Sequence, residues 1–172
     1  ETGFHHDTET IDTREVHNDV QNALDKTTLL IGHNIKFDLV WLWESGFTYD
    51  GDVYDTMIGE YLLLRCQNWG VSLADSCARR KVSLKKGDLI EEYIRSGIGF
   101  DKMPKDIVEE YGIADVVSTR ELFYAQRKLY SEDKNAPLRK HLKLMNNFLP
   151  VLATLEQNGI KIDFSELHKV RS

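Results

Sequence analysis

The spacing of apolar residues divides the first part of the chain into a helix, a strand and a second helix. Apolar residues recur at helical spacing over residues 16–25, and Asp12 and Thr13 are typical helix N-caps just before them. Residues 27–32 form a β-branched and apolar run that ends in glycine, which is typical of a buried strand. Helical spacing returns over residues 37–44. A strand, a tight turn and a helix in this order predict an α/β arrangement whose turn can carry chemistry.

The middle of the chain is predicted to be mostly helical. Residues 51–55 predict a turn, and the apolar positions on more than one side of residues 57–64 predict a buried helix. Ser72 is a typical N-cap for a further helix that runs to Arg80. An acidic and aromatic helix is expected around residues 91–94.

A loose basic cluster is formed by Arg79, Arg80, Lys81, Lys85 and Lys86. Charge runs of this kind are most often solvated loops, and the cluster is interpreted as one. Contact with phosphate groups is the alternative that the pattern leaves open.

The last third of the chain has two long helical patterns with a polar break between them. Pro104 suits the start of a helix, and apolar residues recur over residues 107–129, with a possible bend at Gly112. Residues 131–137 are polar, charged and closed by proline, which makes them the best candidate for a domain boundary. A strongly apolar helix follows, with apolar residues over 142–155; it is expected to continue through Pro150 and to end at Asn158 and Gly159. Beyond it, residues 160–163 alternate like an edge strand.

Composition restricts the classes of protein that fit. Hydrophobic residues make up 41% and charged residues 29%, which is ordinary for a globular domain, and no apolar run approaches the length of a membrane span. The polar N-terminus lacks the features of a secretory signal, so a cytoplasmic location is expected. Cys66 and Cys77 lack metal-ligand or disulfide spacing and are interpreted as packing residues. A net charge of -6 argues against simple phosphate-backbone binding, unless divalent cations offset the carboxylates.

Two groups of residues have candidate chemistry. Asp38 follows the predicted strand within the first turn of the next helix, where its carboxylate can face a crevice. The helix dipole also favours aspartate there without any catalytic role. Tyr111 and Asp115 are four residues apart on the long helix and share a face, although amphipathic helices produce such pairs freely.

Taken together, these two groups resemble a known family. Asn34, Phe37 and Asp38 at a strand-to-helix turn, followed by Tyr111 and Asp115, resemble the second and third motifs of the DEDD-type proofreading exonucleases in their tyrosine subgroup. The resemblance runs over residues 16–129, and residues 53–56 and 72–75 are also similar to elements of that family.

The resemblance implies a role for each of these residues. Asp38 and Asp115 would hold divalent ions, Mg²⁺ or Mn²⁺, two of which clamp the scissile phosphate in the intact protein. Tyr111 would orient the attacking water. Asn34 and Phe37 would lie beside the terminal nucleotide of a DNA 3′ end, either single-stranded or a frayed primer.

A second resemblance concerns the C-terminal segment. The pattern from Leu144 to Asp163 is similar to the opening of the polymerase domain in family A DNA polymerases. It implies a polymerase domain in the same polypeptide, with residues 1–131 as a partial 3′–5′ exonuclease domain and residues 138–172 as the start of the polymerase domain. Asp55, by contrast, is interpreted as a structural carboxylate that fixes a turn, with a role at the edge of the site as the alternative.

The first motif of the family, Asp-x-Glu, is matched by Asp7 and Glu9. We interpret this match as fortuitous, because the pair should end an apolar strand and no such strand precedes it. The expected fold is therefore an α/β, ribonuclease H-like exonuclease fold that is truncated and helix-rich. It is followed by a C-terminal stub of the polymerase domain. The nuclease activity of this chain alone is expected to be weak or absent. A catalytically incomplete nucleic-acid-binding or spacer module and a related 3′–5′ ribonuclease are the alternatives.

Overall fold

The computed structural model describes residues 13–65, 67–82, 88–161, 164 and 169. Within these ranges the chain forms seven α-helices and two strands. In chain order they are α1 (Thr13–Asp25), β1 (Leu29–Gly32), α2 (Ile35–Glu44), β2 (Asp52–Asp55), α3 (Thr56–Leu63), α4 (Leu73–Arg80), α5 (Asp88–Arg95), α6 (Lys105–Ser131) and α7 (Ala136–Asn158). The α/β class and the helix-rich character agree with expectation.

The strands β1 and β2 pair in parallel, so their carboxyl ends lie at the same edge of the sheet. The register places Gly32 opposite Asp55 at that edge. The prediction of a turn over residues 51–55 was wrong, because residues 52–55 form β2. Pairing with β1 and burial of Val53 stabilise a strand too short to show a periodic pattern.

Helices cover both faces of this small sheet. Side chains alternate along a strand, so the neighbours Val53 and Tyr54 point to opposite faces. Val53 belongs to the core cluster that α2 and α7 form, whose buried members are Ile35, Leu39, Val53, Leu149 and Ala153. On the other face, the ring of Tyr54 packs edge-on against Phe123 of α6, with the ring centroids 4.8 Å apart.

The two long helices differ in detail from their predicted patterns. Helix α6 runs without interruption through Gly112. Helix α7 begins at Ala136, ahead of the predicted apolar stretch, and continues through Pro150 to Asn158. A 3-10 turn over Asp133–Asn135 joins the two helices, and Arg65 donates hydrogen bonds to Lys134 O and Asn135 Oδ1 there.

Some predictions concern residues that the structure does not describe. The second half of the expected edge strand over residues 160–163 lies outside the described residues, and Ile160 and Lys161 have no regular secondary structure. Also outside are Asp7, Glu9, Cys66, Lys85 and Lys86. None of the helices in the described ranges is both long and apolar enough to cross a membrane.

Candidate active site

The site is built on the turn between β1 and α2. Gly32 is required there, because a Cβ atom at this position would lie only 2.8 Å from Ile35 Cβ. Asn34 has a left-handed backbone conformation, with φ of 63° and ψ of 42°, which asparagine adopts more readily than most residues. Its side chain makes no capping hydrogen bond, so it is available to other groups at the surface.

Asp55, at the end of β2, stabilises this turn through hydrogen bonds to its backbone. Its Oδ1 accepts hydrogen bonds from Asn34 N at 3.0 Å and Met57 N at 2.8 Å, and its Oδ2 accepts one from Ile35 N at 3.1 Å. The residue is only 1% exposed. The carboxylate therefore joins two helix N-termini, those of α2 and α3, and the geometry is that of a structural residue.

Asp38 and Asp115 line the same cavity, which has a volume of about 560 Å³. Asp38 lies in the first turn of α2, and Asp115 lies midway along α6. The end of β1, together with His33, Thr119 and Arg120, also lines this cavity. Two carboxylates that are distant along the chain thus face one space at the carboxyl edge of the sheet.

The electrostatics of the cavity disfavour negative charge on Asp38. Desolvation by the surrounding protein raises the pKa of the Asp38 carboxyl above its ordinary value. A backbone hydrogen bond opposes this shift, and the nearby Asp55 charge adds to it. In the described part of the chain, no group of three or more histidine, cysteine, aspartate or glutamate side chains is arranged to hold a metal ion. Two carboxylates from this part of the protein, those of Asp38 and Asp115, line the cavity.

His33 connects the turn to the segment before α4. Its Nδ1 lies 2.9 Å from Thr56 Oγ1, and its Nε2 lies 2.9 Å from the carbonyl oxygen of Val71. Desolvation lowers the pKa of the His33 imidazole, although the Val71 carbonyl and nearby carboxylates oppose that shift. In the neutral ring Nε2 donates to Val71, because a carbonyl can only accept. Nδ1 and the carbonyl oxygen of Gly32 then share the single hydroxyl proton of Thr56, whose Oγ1 lies 2.9 Å from Nδ1 and 3.0 Å from Gly32 O.

The remaining predicted site residues do not line the shared cavity. Tyr111 is half-buried one turn before Asp115, with its ring centroid 6.4 Å from that of Phe100, and it does not line the shared cavity. Asn34 and Phe37 line a neighbouring cavity of about 290 Å³ on α2. A third cavity, of about 710 Å³, is lined by Phe37, Asp38 and Phe100. Asp38 therefore lines both this cavity and the one that it shares with Asp115.

The expectation that Arg79 and Arg80 belong to a solvated loop was wrong. Both guanidinium groups bind the carboxylate of Glu60, at 2.7 Å and 2.9 Å, and Glu60 is fully buried. Gln126 of α6 donates to Glu60 Oε2 at 3.2 Å and to Thr56 O at 2.8 Å. This cluster fixes α6, and hence Asp115, against α3 and α4.

A sequence signal for this cluster exists, although sequence reasoning did not use it. Glu60 is the single charged residue in the helix Thr56–Leu63, which was predicted to be buried. A charge in a buried helix needs a partner of opposite sign, and the arginines of α4 supply it. Cys77 is fully buried as a packing residue, as expected.

Comparison with known proteins identifies a family that the chain matches. The sequence profile of the 3′–5′ exonuclease family of family A DNA polymerases matches residues 4–129. The chain is 31% identical over 142 residues to DNA polymerase I of Borreliella burgdorferi, covering 83% of this chain and 15% of that protein. It is 28% identical over 153 residues to DNA polymerase I of Aquifex aeolicus, covering 80% of this chain and 25% of that protein.

The chain thus spans a quarter or less of the length of these relatives. The family match, in contrast, covers most of the chain, including β1, α2 and most of α6, with Asp38 and Asp115. We conclude that this chain belongs to the 3′–5′ exonuclease family of family A DNA polymerases.

Proposed function

We propose that the cavity between α2 and α6 hydrolyses the terminal phosphodiester bond of DNA at its 3′ end. Asp38 and Asp115 would hold a divalent cation there. Tyr111, one helical turn before Asp115 on α6, would orient the attacking water. The observation that carries the proposal is that the two carboxylates line one cavity although they lie on separate helices. The reaction adds water to phosphorus and breaks the P–O3′ bond, which releases a nucleoside 5′-monophosphate and leaves a new 3′-hydroxyl.

The donor set fits Mg²⁺ or Mn²⁺. Mg²⁺ in nucleotide-processing sites is usually held by one or two carboxylates, with water and substrate phosphate completing its shell. Desolvation raises the pKa of Asp38, and a bound cation would favour the ionised form of this carboxyl. When bound, the cation polarises the phosphate and neutralises developing charge. A second ion, which the resemblance implies, needs carboxylates beyond these two.

The residues around the cavity suit the substrate. Arg120 lines it and offers guanidinium donors for phosphate oxygens. Asn34 and Phe37 lie on the adjoining side of α2, where Phe37 is 60% exposed. An exposed aromatic ring can stack on an unpaired base, and the free amide of Asn34 can hydrogen-bond to the terminal nucleotide.

The polymerase context is also part of the proposal. The relatives are named DNA polymerase I, which favours DNA over RNA as substrate and proofreading as the role. We place the exonuclease segment at residues 1–131 and the start of a polymerase domain of the same polypeptide at residues 138–172. A non-catalytic spacer would have no need for two carboxylates that face one cavity.

A nuclease assay tests the proposed reaction. The natural polypeptide that carries this sequence is incubated with Mg²⁺ and a labelled single strand, a mismatched primer or an RNA of the same sequence. Asp38→Ala and Asp115→Ala are each expected to lower DNA cleavage by about a hundredfold or more, the scale of losing a catalytic group. Asp106→Ala, an exposed aspartate on the same helix as Asp115, is the matched control. Unchanged cleavage in either site variant contradicts the proposal, and preferential cleavage of RNA supports the ribonuclease alternative.

A further inference from the structure

Helix α7 makes a buried hydrogen bond to the strand end that supports the site. Asn146 is 5% exposed, and its Oδ1 accepts a hydrogen bond from the backbone N–H of Asp55 at 3.2 Å. The side chain of the same Asp55 accepts the N–H groups of Asn34 and Ile35. Two successive hydrogen bonds therefore connect α7 to the turn that precedes Asp38.

Other contacts between α7 and α2 surround this connection. Leu149 and Ala153 pack in one core with Ile35 and Leu39. Nearer the surface, Lys36 pairs with Glu156, and Gln157 donates to Glu44 Oε1 at 3.0 Å. Helix α7 thus contacts both the beginning and the end of α2.

These contacts differ in how precisely they can fix the position of the end of β2. Exposed ion pairs contribute little to stability, and apolar packing has no preferred direction. A buried hydrogen bond to a backbone N–H has a fixed length and direction, and leaving the N–H unsatisfied is costly. Among the contacts above, the one from Asn146 is therefore best suited to fix the strand end.

We propose that Asn146 is a positioning residue for the exonuclease site. By holding the backbone of Asp55, it sets the position of the carboxylate that supports the Asn34–Ile35 turn, and through that turn the position of Asp38. The inference rests on the proposed function for its effect on catalysis. The structural part, which is that α7 orders the turn, stands independently of that function.

The first experiment measures the turn directly in the metal-free protein. Hydrogen–deuterium exchange of peptides covering residues 29–39 is compared between the natural polypeptide and its Asn146→Ala variant. Losing one hydrogen bond is expected to speed exchange by about three- to tenfold. Asn146→Ser, which shortens the side chain but keeps a polar group, is measured in parallel in case Asn146→Ala does not fold.

The second experiment measures the Mg²⁺ concentration that gives half-maximal exonuclease activity. Residues that orient metal ligands typically affect affinity or activity by 10- to 100-fold, and an indirect contact should lie at the lower end, about tenfold. Activity should recover toward the natural level at saturating Mg²⁺. Leu142→Ala removes apolar packing from the same helix without touching the Asp55 connection, and Asn147→Ala changes an exposed neighbour.

The outcomes separate the two claims. Unchanged hydrogen exchange over residues 29–39 in Asn146→Ala overturns the positioning role. The role is also overturned if Leu142→Ala raises the Mg²⁺ requirement as much as Asn146→Ala does, because the rise would then reflect a general loss of stability. If Asp38→Ala leaves exonuclease activity intact, the proposed function fails, while the exchange measurement still tests whether α7 orders the turn.

Discussion

Replacing Asp55 with asparagine perturbs the turn without changing the size of the side chain. The amide nitrogen takes the place of one carboxylate oxygen. If it replaces Oδ2, a donor faces the buried N–H of Ile35, which that oxygen accepts at 3.1 Å. If it replaces Oδ1, it faces the N–H groups of Asn34 and Met57 instead. Either orientation leaves at least one buried donor unsatisfied.

The size of the effect follows from these contacts. A hydrogen bond to a charged group contributes about 1.5–3 kcal/mol, and the bonds that remain are weakened because the acceptor is no longer charged. We therefore expect Asp55→Asn to lower the local free energy of unfolding by about 3 kcal/mol. Asp55→Ala would remove all of these bonds and approach the lower limit of total domain stability, about 5 kcal/mol, so asparagine is the more informative change.

Denaturant-dependent hydrogen exchange provides the assay, because it reads local stability in a large polypeptide. Peptides that cover β1–α2 and β2–α3 should both lose protection, since Asp55 holds the N-termini of both helices. Asp52→Asn, an exposed position on the same strand, should change stability by less than about 0.5 kcal/mol. Equal protection in the Asp55→Asn and Asp52→Asn variants would refute the reasoning.

Three further predictions concern other parts of the site. Arg80→Ala leaves the buried Glu60 with one guanidinium fewer. It should lower the free energy of unfolding, measured in urea, by about 3 kcal/mol, the lower end for unpairing a buried charge. A decrease of less than about 0.5 kcal/mol would mean that the ion pair is dispensable. The folded pKa of His33 lies below its unfolded value, so the stabilising contribution of His33 is full above about pH 6.5 and is lost as pH falls through the folded pKa. His33→Gln should therefore make the free energy of unfolding less dependent on pH in that window. The control His141→Gln, at an exposed position, should leave this pH dependence unchanged. Asn34→Ala should lower the free energy of unfolding by about 1 kcal/mol, because residue 34 has a left-handed backbone conformation. Asn34→Gly should keep the stability but raise the KM for DNA. An unchanged KM in both variants would mean that Asn34 does not belong to the substrate site.

The parts of the fold that the sequence predicts are those with long or strongly apolar patterns. The run that becomes β1 and the helical spacing of α2 and α6 predict these elements, because the apolar pattern is local to each segment. The predicted burial of β1 was wrong, since its four residues are exposed or half-buried. Strand β2 is different: with four residues and Val53 as its main apolar contact, its conformation depends on pairing with β1. Tertiary pairing of this kind leaves no local periodicity.

The site was predictable to a similar, limited degree. The motif resemblance selected Asp38 and Asp115, which do line one cavity. Pattern reasoning assigns charged side chains to solvent, so it missed the burial of Glu60 between two arginines. It also could not find Asn146, because a polar residue in an apolar helix shows its role only when the partner, Asp55 N, is known.

The most direct test of the central claim is a double-mutant cycle on the exonuclease rate. If Asp38 and Asp115 hold the same catalytic cation, the double variant Asp38→Ala/Asp115→Ala should be about as slow as the slower single variant, since residues that act as one unit are strongly non-additive. If the two losses instead multiply, or if either single change leaves the rate unaltered, the two carboxylates do not form one site and the account of this cavity is wrong.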